Sequence, residues 1–212
     1  MVNIYYLMKI QLLDISVLEN FHAAEAFKLI NKKENNILEN ISDKEYRIIR
    51  KRIINCILST DISNHGKHFY KAKSKIESLN IKNGNNIELL VNDDINITYD
   101  NQQTIMNLIV HGADISNPCK PLNIYNRWVN LVFEEFFIQG DLEKLYNLPI
   151  SLNCDRDTIN VSKSQIGFIH FLVKPTFECL LNIIPQCNDY RINLNNNYEY
   201  FKELSDNNNN NK

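Results

Sequence analysis

The side chains best suited to chemistry are few and scattered. There are five histidines (His22, His65, His68, His111, His170) and five cysteines (Cys56, Cys119, Cys154, Cys179, Cys187). One carboxylate, Asp114, sits where an apolar run meets an Asn-Pro turn in VHGADISNPCKPL. The helix before it and the turn after it leave that carboxylate little freedom. By residue type and spacing alone, an Asx turn with Ser116 or Asn117 outweighs a metal-ligand role. His65 and His68, at i and i+3, would share a helix face suited to chelation, but Gly66 between them argues for a turn or surface position. His22 and His111 read as hydrogen-bonded core or helix-face residues. The cysteines are odd in number and lack CxxC spacing, which predicts reduced thiols in an intracellular compartment.

Helices have to position these groups. The chain has 212 residues, 44% hydrophobic and 23% charged, enough for one substantial core and a single domain. Gly and Pro number five each, and apolar positions recur at helical spacing, so the fold class is all-α. A first helix is predicted to open at Ser16, with Glu19 at capping-box spacing, and a second at Ser42 with Glu45. Ile49, Ile53 and Ile57 form one stripe of the second, which should end near DISNHG. Residues 80–101, rich in Asn, Asp and Gly, read as a loop or insertion. The helix QQTIMNLIVHG then delivers Asp114. The next, LNIYNRWVNLVFEEFFIQ, carries Tyr125, Trp128, Val132 and Phe136 at spacings of three and four; it is expected to be buried and to stop at Gly140. A last long helix, from about Ser162 to Ile184, should kink at Pro175. About one residue in six is Asn, read as compositional drift, and the tail 205–212 is predicted to be disordered.

The formal net charge is -2 with the two signs interspersed, so no field to gather nucleic acid or anionic lipid is expected. No run approaches bilayer-spanning length, and the start MVNIYYLMKIQLLD lacks a signal-peptide pattern. The expected location is the cytoplasmic side; any membrane anchor would lie in a segment outside this sequence.

Four blocks, SVLENFHAAEAF, ILSTDISNH, IVHGADISNPCKPL, and EEFFIQGDLEK with CDRDTINVSKSQIGF, occur in order from residue 16 to about 190. Together they resemble the catalytic domain of the cyclic nucleotide phosphodiesterases. The resemblance implies a compact helical hydrolase of signal transduction that opens the 3',5'-phosphodiester of cAMP or cGMP to a 5'-monophosphate. It implies a two-metal centre, zinc with magnesium or manganese, and a His that protonates the leaving oxygen. By this similarity Asp114 is a metal ligand, and Glu19 and Thr60 reach the second metal through its waters. Asn117 and Tyr125 line the pocket. Gln165 is the purine-reading amide, which can both donate and accept; Phe168 and Val132 clamp the purine and Phe136 adds to the wall.

The family's HNxxHA and HDxxHPG blocks have no counterpart, since none of the five histidines sits in either pattern. The general-acid His and three of the primary metal ligands are therefore missing, and Asp114 alone does not make a tight zinc site. The expectation is a partial catalytic domain over 16–204, preceded by a non-matching segment 1–15. Such a chain is a fragment, inactive by itself, to be completed by a missing N-terminal part or a homodimer partner. Two alternatives stand beside it: a catalytically dead relative that binds cyclic nucleotide or a partner protein, and a structural helical module. Asp157, Ser162 and His170 stand where the family usually has His, Glu and Asp, and Asn153 where Met is common, which leaves cAMP against cGMP open. Glu19 as a simple capping-box residue and Thr60 as a helix-end residue also stay open.

Overall fold

The computed structural model describes residues 15–91 and 94–210. Nearly all of the segment 1–15 and the last two residues of the tail lie outside that range. Among the described residues the regular structure is helical, apart from an isolated bridge between Lys82 and Asn85. The chain divides into two compact units between Asp114 and Ile115, where length suggested a single core.

The first unit holds α1 (Val17–Ile30), α2 (Asp43–Leu58), α3 (His65–Ser78) and α4 (Ile95–Asp114). α1 packs on α2, and both α2 and α3 pack on α4. The α2 cap forms as its sequence dictates. Ser42 accepts from the Glu45 amide at 3.3 Å, and Glu45 accepts from the Ser42 amide at 2.9 Å. The same spacing fails at α1. Ser16 is left-handed (φ 44°) and caps nothing; its hydroxyl instead donates to the Asp61 carboxylate at 2.6 Å, because a charged acceptor outcompetes a neutral local one.

Residues 80–101 are only partly the expected loop. A 3-10 turn covers Ile87–Leu90, and α4 already begins at Ile95. The polar composition is misleading here because Asn101 is buried and donates to the Leu90 carbonyl at 3.2 Å. His65 also departs from the turn reading. It begins α3, whose buried face is His65, Phe69, Ala72 and Ile76, and that burial outweighs the helix penalty of Gly66 in the first turn.

The second unit holds α5 (Leu122–Leu145), α6 (Val161–Phe168), a π-helical turn (Ile169–Val173), α7 (Lys174–Ile183) and α8 (Asn188–Asn210). α5 buries Tyr125, Val129 and Phe133 but leaves Trp128 47% exposed, so only one face of it is core. It does not stop at Gly140. That glycine permits close packing: a Cβ there would lie 1.9 Å from the Cys154 carbonyl oxygen.

Pro175, where a kink was expected, lies in the first turn of α7, directly after the π-helical turn. The residue one turn back, Phe171, lies in the π-helical turn, whose wider register takes up the carbonyl that a proline ring would strike. The resulting stretch Val161–Ile183 has 23 residues, and an 18-residue window of it has mean hydropathy 1.3, enough by length and composition to cross a membrane, where none was expected. Its Ile169 and Val173 are nevertheless fully buried in the chain's own core, and α6 packs on α8.

The Asn-rich α8 is a structural element rather than drift. Asn197 donates to the carbonyls of Pro118 (2.7 Å) and Lys120 (2.8 Å), and Asn193 to that of Cys119 (3.1 Å). The helix continues to Asn210 through Ser205, which is buried, although composition alone predicts disorder there.

Candidate functional site

In the second unit the structure brings two of the named residues into contact. Tyr125, one turn into α5, is 1% exposed, and Gln165 on α6 is 8% exposed. The Tyr125 hydroxyl donates to Gln165 Oε1. Burial, with Cys119 nearby, pushes the Tyr125 phenol up, so it stays a protonated donor at neutral pH. The bond sets the amide with Oε1 toward the phenol. Among the described residues its Nε2 has no hydrogen-bond partner, which leaves it able to donate to a ligand.

Phe168, three residues on, shares the helix face of Gln165 and is half-buried. Val132 and Phe136 lie one and two turns beyond Val129 on the face of α5 that carries Tyr125, both half-buried, with Phe136 edge-on to the buried Phe133 at 5.8 Å. Asn117 opens the 3-10 turn Asn117–Cys119 that Asn193 and Asn197 hold. Asn153, left-handed at φ 67°, accepts from Ser164 at 3.2 Å, one residue before Gln165. A buried phenol, a fixed amide and flanking aromatic and aliphatic surface can grip a flat heterocycle by its edge and faces.

In the first unit Asp114 is the last residue of α4 and is solvent-exposed. Desolvation by its surroundings nonetheless raises its carboxyl above the ordinary range, opposed by the charge of His22. Thr60 donates its hydroxyl to the Ile57 carbonyl at 2.8 Å, the role of a helix-end residue. Glu19 lies in the first turn of α1, half-buried and outside any capping box.

Two polar centres in this unit had no local signal in the sequence. Asp61 accepts from Ser16, from the Ser63 amide and hydroxyl, and from Asn64 at 2.6–2.9 Å. Burial alone would raise its pKa, but these bonds together hold it below the usual range. His65 Nδ1 lies 2.8 Å from His111 Nε2, both rings buried. Burial first, then the neighbouring His65 and His68, lowers His111 to about 4. Because the pair is joined through nitrogens 46 positions apart in sequence, spacing could not reveal it.

The described residues do not fit a metal centre. Among them no group of three or more His, Cys, Asp or Glu side chains is gathered, and Asp114 has only His22 acting on it.

Comparison with known proteins follows the same lines. Residues 3–194 match the family model described as 3'5'-cyclic nucleotide phosphodiesterase, so the match begins upstream of Ser16. The chain is 38% identical over 192 residues to isoform F of the 3',5'-cyclic-AMP phosphodiesterase of Drosophila melanogaster, covering 90% of this chain and 28% of that protein. It is 41% identical over 163 residues to a probable 3',5'-cyclic phosphodiesterase of Caenorhabditis elegans, covering 77% and 22%. The phosphodiesterase domain of the RhoPDE fusion protein from the choanoflagellate Salpingoeca rosetta is 32% identical with a TM-score of 0.76, over 94% of this chain and 60% of that one. The chain belongs to the 3',5'-cyclic nucleotide phosphodiesterase family. It spans less than a third of the curated relatives' length.

Proposed function

We propose that the protein acts as a 3',5'-cyclic nucleotide phosphodiesterase with cyclic AMP as its substrate, and that this chain supplies the wall that binds the base. The observation that carries the reading is the buried Tyr125–Gln165 bond. An adenine edge offers an amino donor beside a ring acceptor, and a guanine edge offers the reverse order. An amide pinned in one orientation therefore suits one of the two bases better. The names of the Drosophila relatives favour adenine. Phe168 and Val132 would hold the ring faces, and Phe136 and Asn117 would complete the pocket.

Hydrolysis would further require metal ions and an acid for the leaving oxygen. The family resemblance gives Asp114 to that centre and Glu19 and Thr60 to its waters, but the described residues gather no metal group, so the chain's own contribution is placed at the base-binding wall.

The test is a thermal-shift titration of the chain with cyclic AMP and cyclic GMP, run beside an assay for 5'-AMP. A stabilisation by cyclic AMP that exceeds that by cyclic GMP and disappears in Gln165→Ala supports the base-binding reading. No shift with either nucleotide overturns it. The lack of a gathered metal group favours a second reading, a relative that binds cyclic nucleotide without hydrolysing it. Binding with no 5'-AMP formed, zinc and magnesium being supplied, selects that one.

A further inference from the structure

The near-neutral net charge conceals one strongly one-signed spot. In the stretch RIIRKR, residues 47–52, four of six side chains are cationic and none is acidic. Arg47, Arg50 and Lys51 lie at i, i+3 and i+4 on α2 and, with Ile54 and Asn55, line an open cavity of about 230 Å³. Among the described residues no carboxylate lines it.

Other lysines of the same unit are ion-paired: Lys28 with Glu25, Lys71 with Asp100, Lys73 with Glu77. The three cavity cations have no such partner among the described residues. Aromatic faces position two of them instead. Arg50 sits 4.2 Å from the Phe27 ring centroid and Lys51 5.5 Å from that of Tyr99, contacts that hold a cation without neutralising it. Arg47 uses Nε on the Asp43 carbonyl, which leaves its terminal nitrogens free to donate. Arg52 does not line the cavity; it donates to Gln102 at 3.0 Å and shares the Tyr99 ring with Lys51, 4.2 Å from its centroid.

Like charges one helical turn apart repel, and a bound dianion would remove that repulsion. We infer that this cavity is an anion site for a phosphate group, with the Arg47 and Arg50 guanidinium groups as hydrogen-bonding forks and Lys51 as a point charge. The phosphate can come from a small soluble anion or from a phospholipid headgroup; the chemistry at the cavity is the same. The site does not depend on the base-binding wall, so it stands or falls separately from the proposed enzymatic role.

The experiment has two arms. The chain is titrated with inorganic phosphate and followed by backbone amide shifts of residues 47–55, and it is co-sedimented with phosphatidylcholine vesicles with or without phosphatidic acid. Binding in either arm supports the site and identifies its source, phosphate alone pointing to a soluble ligand and phosphatidic acid alone to a headgroup. Arg47→Glu and Lys51→Glu should each weaken binding about tenfold, the loss of one charge-assisted contact, and binding should weaken with salt. Lys202→Glu, on α8, should leave it unchanged. Should a charge reversal disturb folding, Arg47→Gln and Lys51→Gln keep the aliphatic stems and should show the same direction of change. Absence of binding in both arms, or equal binding by wild type and the Arg47 and Lys51 variants, overturns the inference.

Discussion

The surroundings of Gln165 and those of Asp114 are built in opposite ways. Around Gln165 the polar groups are buried and bonded to one another: Tyr125 holds the amide, and Asn193 and Asn197 hold the turn that leads into α5. Around Asp114 the polar bonds are local or internal to the unit. Thr60 bonds its own helix end, and the strong polar centres of that unit, Asp61 and the His65–His111 pair, are internal cross-links. A recognition surface can be finished within one stretch of chain, because an amide and a phenol satisfy each other in neutral form. A metal centre concentrates charge that only several converging ligands can offset.

The largest way to break this contrast is Gly140→Ala. The added Cβ meets the Cys154 backbone, which cannot retreat as a side-chain tip would. The expected cost is about 3 kcal/mol, read in a denaturant melt, together with loss of cyclic nucleotide binding. A mild effect would show that the segment preceding α6 is not rigidly held.

Acid should act on the other unit through His111. Its folded pKa is about 4 against an ordinary value near 6.5, so between those values the unfolded chain binds more protons. The stability it confers is complete above about pH 6.5 and is lost as pH falls toward 4, up to about 3 kcal/mol in total. His111→Gln should flatten that slope in a pH series of melts, and an unchanged slope would remove His111 as its source.

Asp61→Ala strips the acceptor from Ser16, Ser63 and Asn64 and should cost about 2 kcal/mol. Its lowered pKa adds a second acid loss, present above the ordinary Asp value near 4 and disappearing as pH drops through the lower folded value. The smallest effect sharpens the point about caps. Ser42→Ala should cost about 1 kcal/mol with cyclic nucleotide binding intact, and the capping loss should vanish in a Glu45→Ala background if the box acts as a unit.

Helical spacing made the fold class and most elements legible, since amphipathic periodicity is local and α2, α4 and α5 follow it. The Ser42 box was readable for the same reason. The same spacing at Ser16 gave the wrong cap because the competing acceptor, Asp61, is 45 positions away. Motif order made Gln165 and Phe168 visible as base-binding candidates, but nothing near them in sequence announced Tyr125 as the group that holds the amide. Gly140 looked like a stop signal, although what decides its role is the Cys154 carbonyl.

The amino-acid order by itself determined that the chain is helical, that it carries the family's later motifs, and that the histidine blocks for acid and metal are absent. These depend on residue identity and short-range periodicity. Tertiary structure alone decided which polar groups meet, namely Tyr125 with Gln165, His65 with His111, and Asp61 with Ser16. Hydrogen bonds form between groups close in space, and only packing brings together residues tens of positions apart.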